Sequence, residues 1–289
     1  MILVTGASGN IGSQVTRRAL SLGYRVRCLV RPSSKRHLLQ DLPVDICEGD
    51  LRDLPSIVRA CRGIDAVISI AYISLARNLL LAAREEGVRR LVFLGSTGIY
   101  TALPSAGARA KREAETQIRQ SGLNTTILRA TLVYGNELDG NIYRLIRFCN
   151  RFPVFPVFGS GRAWQQPVFI DDVAHNLVAV LTNEQTYGKA YDLGGSSRLS
   201  YRDLIDTTAA TLNRRLIKIN IPLSLAAFAV RLAAPFWPRL GLSREQVKRL
   251  AEDKHVDISP ARRDFAYQPL GFPEGVRRQV ALCRRKGLL

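Results

Sequence analysis

Three glycines spaced three apart, Gly6, Gly9 and Gly12, follow the apolar run Ile2 to Thr5 and precede a helical pattern through Val15, Ala19 and Leu20. Few local patterns restrict a fold as much. The β-branched run reads as a short buried strand. The glycines let the backbone turn tightly and approach a neighbour with no Cβ in the way, and the helix then begins with its free N–H groups and positive dipole end facing the turn. A loop of this kind after the first strand of an α/β sheet holds a pyrophosphate. A tight turn without a ligand would need similar glycines, but the loop here opens a long alternating pattern, which favours the nucleotide.

That alternation runs to residue 130. Strands are expected over Tyr24 to Val30, Val44 to Asp50, Asp65 to Ile70, Arg90 to Ser96 and Asn124 to Ala130. Helices are expected over Ser33 to Leu39, LPSIVRACR, ARNLLLAAREEG and GARAKREAETQIRQSG. Such alternation predicts right-handed crossovers and hence an α/β, Rossmann-type doubly wound parallel sheet. Beyond Gly135 the rhythm breaks into loops, short helices and isolated strands. Residues 1–135 are therefore read as a dinucleotide-binding domain and 136–289 as a smaller mixed domain for substrate or partner, with a strand at 165–172 and the helix beside it returning to the first.

The end of the second strand bears on which dinucleotide. An NAD site usually places an Asp or Glu there for the ribose 2′-hydroxyl; this chain has Arg31-Pro32-Ser33-Ser34-Lys35. Arg31 and Lys35, with Ser33 and Ser34, suit a 2′-phosphate through charge-assisted hydrogen bonds. NADP(H) is therefore the expected cofactor and NAD(H) the alternative. The coenzyme contacts expected are Gly6, Ser8, Gly9, Asn10, Ile11, Gly12, Arg31, Ser34 and Lys35, with Asp50 and Leu51 near the adenine and Ala71 after the fourth strand.

Composition excludes several classes. With 46% apolar and 23% charged residues and no low-complexity tract, the chain reads as folded rather than disordered. Five cysteines without a C-x-x-C pair suggest neither a disulfide framework nor zinc, and His37, His175 and His255 lie too far apart to suggest a metal site. The net charge of +18 favours anionic ligands. Its basic residues are dispersed and accompany no nucleic-acid motif, so no specific nucleic-acid partner is expected. With the first strand at Ile2 and no long uncharged apolar run, a cytoplasmic protein is expected. Residues 221–240 are apolar but broken by Pro235 and Pro238, with Arg231, Trp237 and Arg239 alongside. That segment suits a helix over the cleft, a subunit interface such as a homodimer's, or peripheral contact with the inner face of a membrane. Asp172 is expected to cap a helix starting at Val173.

Several segments in order resemble the extended and atypical branches of the short-chain dehydrogenase/reductase superfamily, the NAD(P)-dependent epimerase/dehydratase type. TGASGNIG (Thr5 to Gly12), EGDLRD (Glu48 to Asp53), VRRLVFLGSTGIY (Val88 to Tyr100) and AKREAE (Ala110 to Glu115) look like its coenzyme and active-site segments. LRATLVYG and GSGRAWQQPVFIDDVA look like the segments that build its substrate domain, and QPVFIDDVA and DISPARRDF are also similar to relatives of the complex I accessory subunit of this fold. The resemblance implies Ser96 as the active-site serine and Lys111 as the lysine on the nicotinamide ribose. One departure stands out. Catalytic members carry a Tyr four residues before the Lys, whose phenolate exchanges a proton with substrate; here that position is Gly107. Tyr100 is the nearest tyrosine and the remaining catalytic candidate. Two functions follow as expectations: an NADP(H)-dependent oxidoreductase or epimerase acting on a carbinol or carbonyl of an anionic small molecule such as a nucleotide-sugar, with Arg129, Arg162 or Arg144 as phosphate contacts, or a non-catalytic NADP(H)-binding scaffold, redox sensor or assembly factor.

Overall fold

The structure, a computed structural model, describes residues 1–225 and 252–289. Its strands are β1 (Ile2–Thr5), β2 (Val26–Val30), β3 (Asp45–Glu48), β4 (Ala66–Ser69), β5 (Arg90–Ser96), β6 (Asn124–Ala130), β7 (Val133–Tyr134), β8 (Val154–Phe158), β9 (Trp164–Gln165), β10 (Val168–Phe169), β11 (Lys189–Leu193), β12 (Leu199–Ser200) and β13 (Ile217–Ile221). Its principal helices, in chain order, are α1 (Asn10–Ser21), α2 (Leu54–Cys61), α3 (Ala76–Glu85), α4 (Ala106–Gln120), α5 (Ile142–Arg151), α6 (Ile170–Ala179), α7 (Tyr201–Thr211), α8 (Ser259–Phe265) and α9 (Phe272–Arg285).

Seven strands form one sheet in the order β11-β6-β5-β4-β1-β2-β3, every pair parallel. This is the doubly wound Rossmann-type arrangement, with its order reversing at β1. Because helices cover both faces, the central strands bury every residue instead of alternating: β1 and β4 are buried throughout. On one face α1 and α6 pack through Val15, Ala19, Val173 and Leu177; on the other α2, α3 and α4 pack through Ile57, Leu79 and Ile118. A third apolar cluster, made from α5, α7, α9 and β8, holds the smaller unit together.

Four local expectations change. No helix forms between Ser33 and Leu39, where the chain runs through turns closed by Ser34 N–H to Arg31 O (2.9 Å) and Leu39 N–H to Arg36 O (2.8 Å). The strand expected at 165–172 shrinks to β9 and β10, and β10 pairs with β7 outside the main sheet. Asp172 is no cap: α6 starts two residues before it behind an extended Phe169, and the Asp172 carboxylate instead accepts from the Leu270 N–H at 2.8 Å. Beyond residue 135, β11 also joins the main sheet beside β6, a strand not expected there, while α6, the helix expected to return, covers its face.

A buried arginine explains that return. Arg90, at the start of β5, is 4% exposed, and its guanidinium donates to Val180 O (2.9 Å), Asn124 O (3.1 Å), Thr126 Oγ1 (2.6 Å) and Thr186 Oγ1 (2.9 Å) while stacking on the Tyr187 ring. One side chain thus satisfies the carbonyls where α6 ends and ties the 180–187 segment to the sheet. Among the described residues no helix is long and apolar enough to cross a membrane. Residues 226–240 of the apolar segment at 221–240 lie outside the described residues, and its first residue ends β13.

Candidate active site

The glycine loop leaves β1 at the carboxyl edge of the sheet. Gly6 has φ +71°, and a Cβ on it would lie 2.9 Å from the backbone nitrogen of Ala71, so strand and neighbouring loop touch there through bare backbone. A Cβ on Gly12 would fall 2.0 Å from Gly6 O and 2.8 Å from Ala7 Cα. Helix α1 can therefore sit against the turn only because position 12 is glycine. Its N-cap, Gly9, has no side chain to occupy the first N–H groups, and no acidic residue lies in the first turn. An anion is the partner such an end favours, and the loop fits a dinucleotide pyrophosphate. Ser8 and Ile11 are half-buried on this loop, and the Asn10 carboxamide is held from outside by Asn136 Nδ2 at 2.6 Å.

Asn136 was not apparent from the sequence. It is 8% exposed, lies just past β7, and its carbonyl accepts from Gln279 Nε2 of α9 at 2.8 Å. Glycine loop and smaller unit are thus joined by one polar chain, and nothing in the local pattern GNELDG announces it.

At the end of β2, Arg31 and Lys35 are exposed and their side chains make no hydrogen bond or ion pair among the described residues, whereas the neighbouring Arg36 is paired with Glu48. Ser34 is half-buried on the same turn. Asp50 Oδ1 accepts from Arg52 N–H at 2.9 Å, which fixes the loop after β3 and leaves Oδ2 available; Leu51 beneath it is buried.

Ser96 ends β5, and its Oγ accepts from the Gly98 N–H at 3.2 Å. Lys111 lies one and a half turns into α4. Both side chains reach the same point: a Cβ on Gly98 would sit 3.2 Å from Ser96 Oγ and 3.6 Å from Lys111 Nζ. Gly107 is on the first turn of α4, and a Cβ there would meet only Ser105 Oγ at 3.8 Å, so the family's tyrosine position is open and empty of a side chain.

Tyr100 is committed elsewhere. Its hydroxyl donates to Asp192 on β11 (2.8 Å) and accepts from Arg129 Nη1 on β6 (2.9 Å). Partial burial, together with the hydrogen bond and charge of Asp192, pushes its pKa up to about 12. Arg129 in turn grips Glu115 of α4 with both Nε (2.9 Å) and Nη2 (2.7 Å) and pairs with Asp192 at 3.3 Å. With side chains 10% and 6% exposed, Arg129 and Glu115 form a buried brace between sheet and helix rather than a site for a substrate phosphate. Arg162 is exposed on the loop between β8 and β9, and Arg144 is exposed on α5.

A family model described as NAD(P)H-binding matches residues 6–184. The chain belongs to this NAD(P)H-binding family. It is 28% identical over 251 aligned positions to the mitochondrial NADH dehydrogenase (ubiquinone) 1 alpha subcomplex subunit 9 of Arabidopsis thaliana, covering 79% of this chain but 62% of that subunit. It is 26% identical to the 2-alkyl-3-oxoalkanoate reductase of Stenotrophomonas maltophilia, over 97% of this chain and 98% of the reductase. In structure it matches the UDP-glucose 4-epimerase of Thermotoga maritima with a TM-score of 0.77 at 18% identity, covering 99% of both chains. The fold is that of the extended short-chain dehydrogenases and epimerases, and the chain binds NAD(P)H.

Proposed function

We propose that the chain is an NADP(H)-dependent oxidoreductase acting on a carbonyl or carbinol carbon. The observation that carries this reading is the convergence of Ser96 Oγ and Lys111 Nζ at Gly98, at the carboxyl end of β5 and so on the same edge of the sheet as the glycine loop, where doubly wound sheets bind their ligands. The coenzyme, when bound, supplies or accepts a hydride. Ser96 accepts from Gly98 N–H and so keeps its own hydroxyl hydrogen to donate to a substrate oxygen, and the proton that completes the reduction (or leaves in the oxidation) is exchanged with solvent water through the exposed, open position at Gly107. The Lys111 ammonium holds the nicotinamide ribose and places positive charge beside the developing alkoxide. Tyr100 stays outside the proton path, because its hydrogen is given to Asp192 and its raised pKa keeps it protonated across any ordinary assay pH. Similarity to an oxoalkanoate reductase over nearly the whole length supports a reductase.

Removing the two hydroxyls separates these roles. Ser96→Ala is expected to lower kcat by about 100- to 1,000-fold, as for loss of one oxyanion donor. Tyr100→Phe is expected to leave kcat within about threefold, with no alkaline inflection lost from the pH profile, because a phenol titrating near 12 ionises above the assay range. A large loss with Tyr100→Phe and a small one with Ser96→Ala would reverse the assignment.

Coenzyme preference rests on Arg31 and Lys35, with Ser34 between them. Arg31→Glu is expected to weaken NADPH by roughly 100-fold and NADH by less than about threefold, read by calorimetric titration, since a charge-assisted contact to a dianion becomes a repulsion. Equal losses for both coenzymes would rule out a 2′-phosphate site here.

A second reading, a coenzyme-loaded scaffold without turnover, draws on the missing side chain at Gly107 and on the similarity to the complex I subunit. It differs in one observable: the bound nucleotide would stay reduced whatever carbonyl is supplied.

A further inference from the structure

Strands β8 and β13 pair in parallel outside the main sheet, with Ile217 beside Val154, Ile219 beside Pro156 and Ile221 beside Phe158. Successive side chains of a strand point to opposite faces. These residues therefore share one face of the ribbon, and Phe155, Val157, Lys218 and Asn220 share the other. The second face is the packed one. Phe155 and Val157 are buried in the third apolar cluster, Lys218 pairs with Asp206 of α7 at 2.6 Å, and Asn220 Oδ1 accepts from Arg202 of the same helix at 2.5 Å. The β13 sequence IKINI is thus turned opposite to an ordinary half-buried strand: its polar residues face the protein and its isoleucines face away. Ile217 is 66% exposed and Ile219 52%, with Val154 exposed beside them and Phe152, 50% exposed, just before β8. A shift of one residue would bury the isoleucines, and the contacts of Lys218 and Asn220 with α7 hold the register that leaves them outside.

Charge around this face has one sign. Residues 140–170, which include β8, hold four arginines and no Asp or Glu. Residues 207–244, which include β13, hold five arginines, one lysine and no Asp or Glu. Arg151 and Arg215 lie at the end of the ribbon where both strands begin; they are exposed, and their side chains make no hydrogen bond or ion pair among the described residues.

We infer that the outer face of the β8–β13 ribbon docks on an anionic membrane surface, with the isoleucines and Phe152 entering the interface and the arginines around them meeting lipid phosphates. An exposed apolar patch marks an interaction surface, and a bilayer interface offers hydrocarbon and negative charge together. Residues 221–240 continue the chain from β13 with the same composition, apolar with Arg231, Trp237 and Arg239 and without an acid. The inference is independent of the reaction proposed above.

Co-sedimentation with vesicles of phosphatidylcholine, with and without phosphatidylglycerol, tests it. The protein is expected to bind the anionic vesicles and not the neutral ones. Ile217→Asn with Ile219→Asn leaves the charge unchanged and should weaken that binding at least about tenfold, since two apolar side chains no longer enter the interface. Arg151→Gln with Arg215→Gln should weaken it about fivefold for each charge removed. Both pairs should keep the thermal transition and the NADPH affinity of the unaltered chain. Ile219→Trp, which keeps the face apolar, should gain a fluorescence that brominated lipid quenches. Absence of vesicle binding overturns the inference. So does equal binding by the isoleucine variant with all of it lost in high salt, which is general adsorption of a chain of +18. A dimer in solution that the isoleucine variant dissociates would place a second copy on this face and overturns it as well.

Discussion

Gly12→Ala is expected to abolish measurable coenzyme binding. The added methyl would sit 2.0 Å from Gly6 O, 2.7 Å from Gly6 C and 2.8 Å from Ala7 Cα, all backbone atoms that no rotamer change can move aside. Helix α1 must withdraw from β1, which carries its first N–H groups away from the phosphates they are placed to meet. Titration should show NADPH weakened more than about 100-fold, and overpacking alone should cost about 1–3 kcal/mol of stability. Gly140→Ala, whose Cβ meets open space, is the matched control and should bind as the unaltered chain does. Binding within threefold for Gly12→Ala would show that the loop does not cradle a pyrophosphate.

The second large effect falls on stability. Glu115→Ala strands the Arg129 guanidinium, 10% exposed, with Asp192 at 3.3 Å and the Tyr100 hydroxyl as its remaining side-chain partners among the described residues. Breaking a buried pair by removing one partner costs about 3–5 kcal/mol, and Asp192 keeps this case toward the lower figure. For a chain of this size thermal unfolding should shift down by roughly 10 °C. The double replacement Glu115→Leu with Arg129→Met should recover only part of that loss, since it removes both members of the pair but leaves Asp192 with the Tyr100 hydroxyl alone. An unchanged transition for Glu115→Ala would mean that the brace contributes nothing.

Much of this architecture was legible in the residues. Periodicity located β1 to β6 and α1 to α4 because each is a self-contained run whose burial repeats along the sequence. The glycine loop was legible because its constraint is steric and local. What escaped were features set by long-range contact. Lys189 to Leu193 looks like any isolated strand; only its pairing with β6, secured by Arg90 through Val180 and Thr186, assigns it to the main sheet. Arg129 could be read as a phosphate ligand or as a structural ion, and Glu115 lies on a different element, so the pair exists only once the sheet is assembled. The same holds for Tyr100, which proximity in sequence to Ser96 made one of several candidate proton donors and whose hydroxyl donates to Asp192. Asn136 clamping Asn10 had no sequence signal at all.

The most direct measurement of the central claim is a single-turnover experiment. Protein saturated with NADPH is mixed with 3-oxo acids, aldehydes and quinones, and the reduced nicotinamide is followed by its fluorescence. The account predicts that bound NADPH is oxidised by at least one carbonyl class, and that Ser96→Ala slows that step about 100-fold or more. A nucleotide that binds tightly and stays reduced against every carbonyl would contradict it and leave the coenzyme as a structural part of a scaffold.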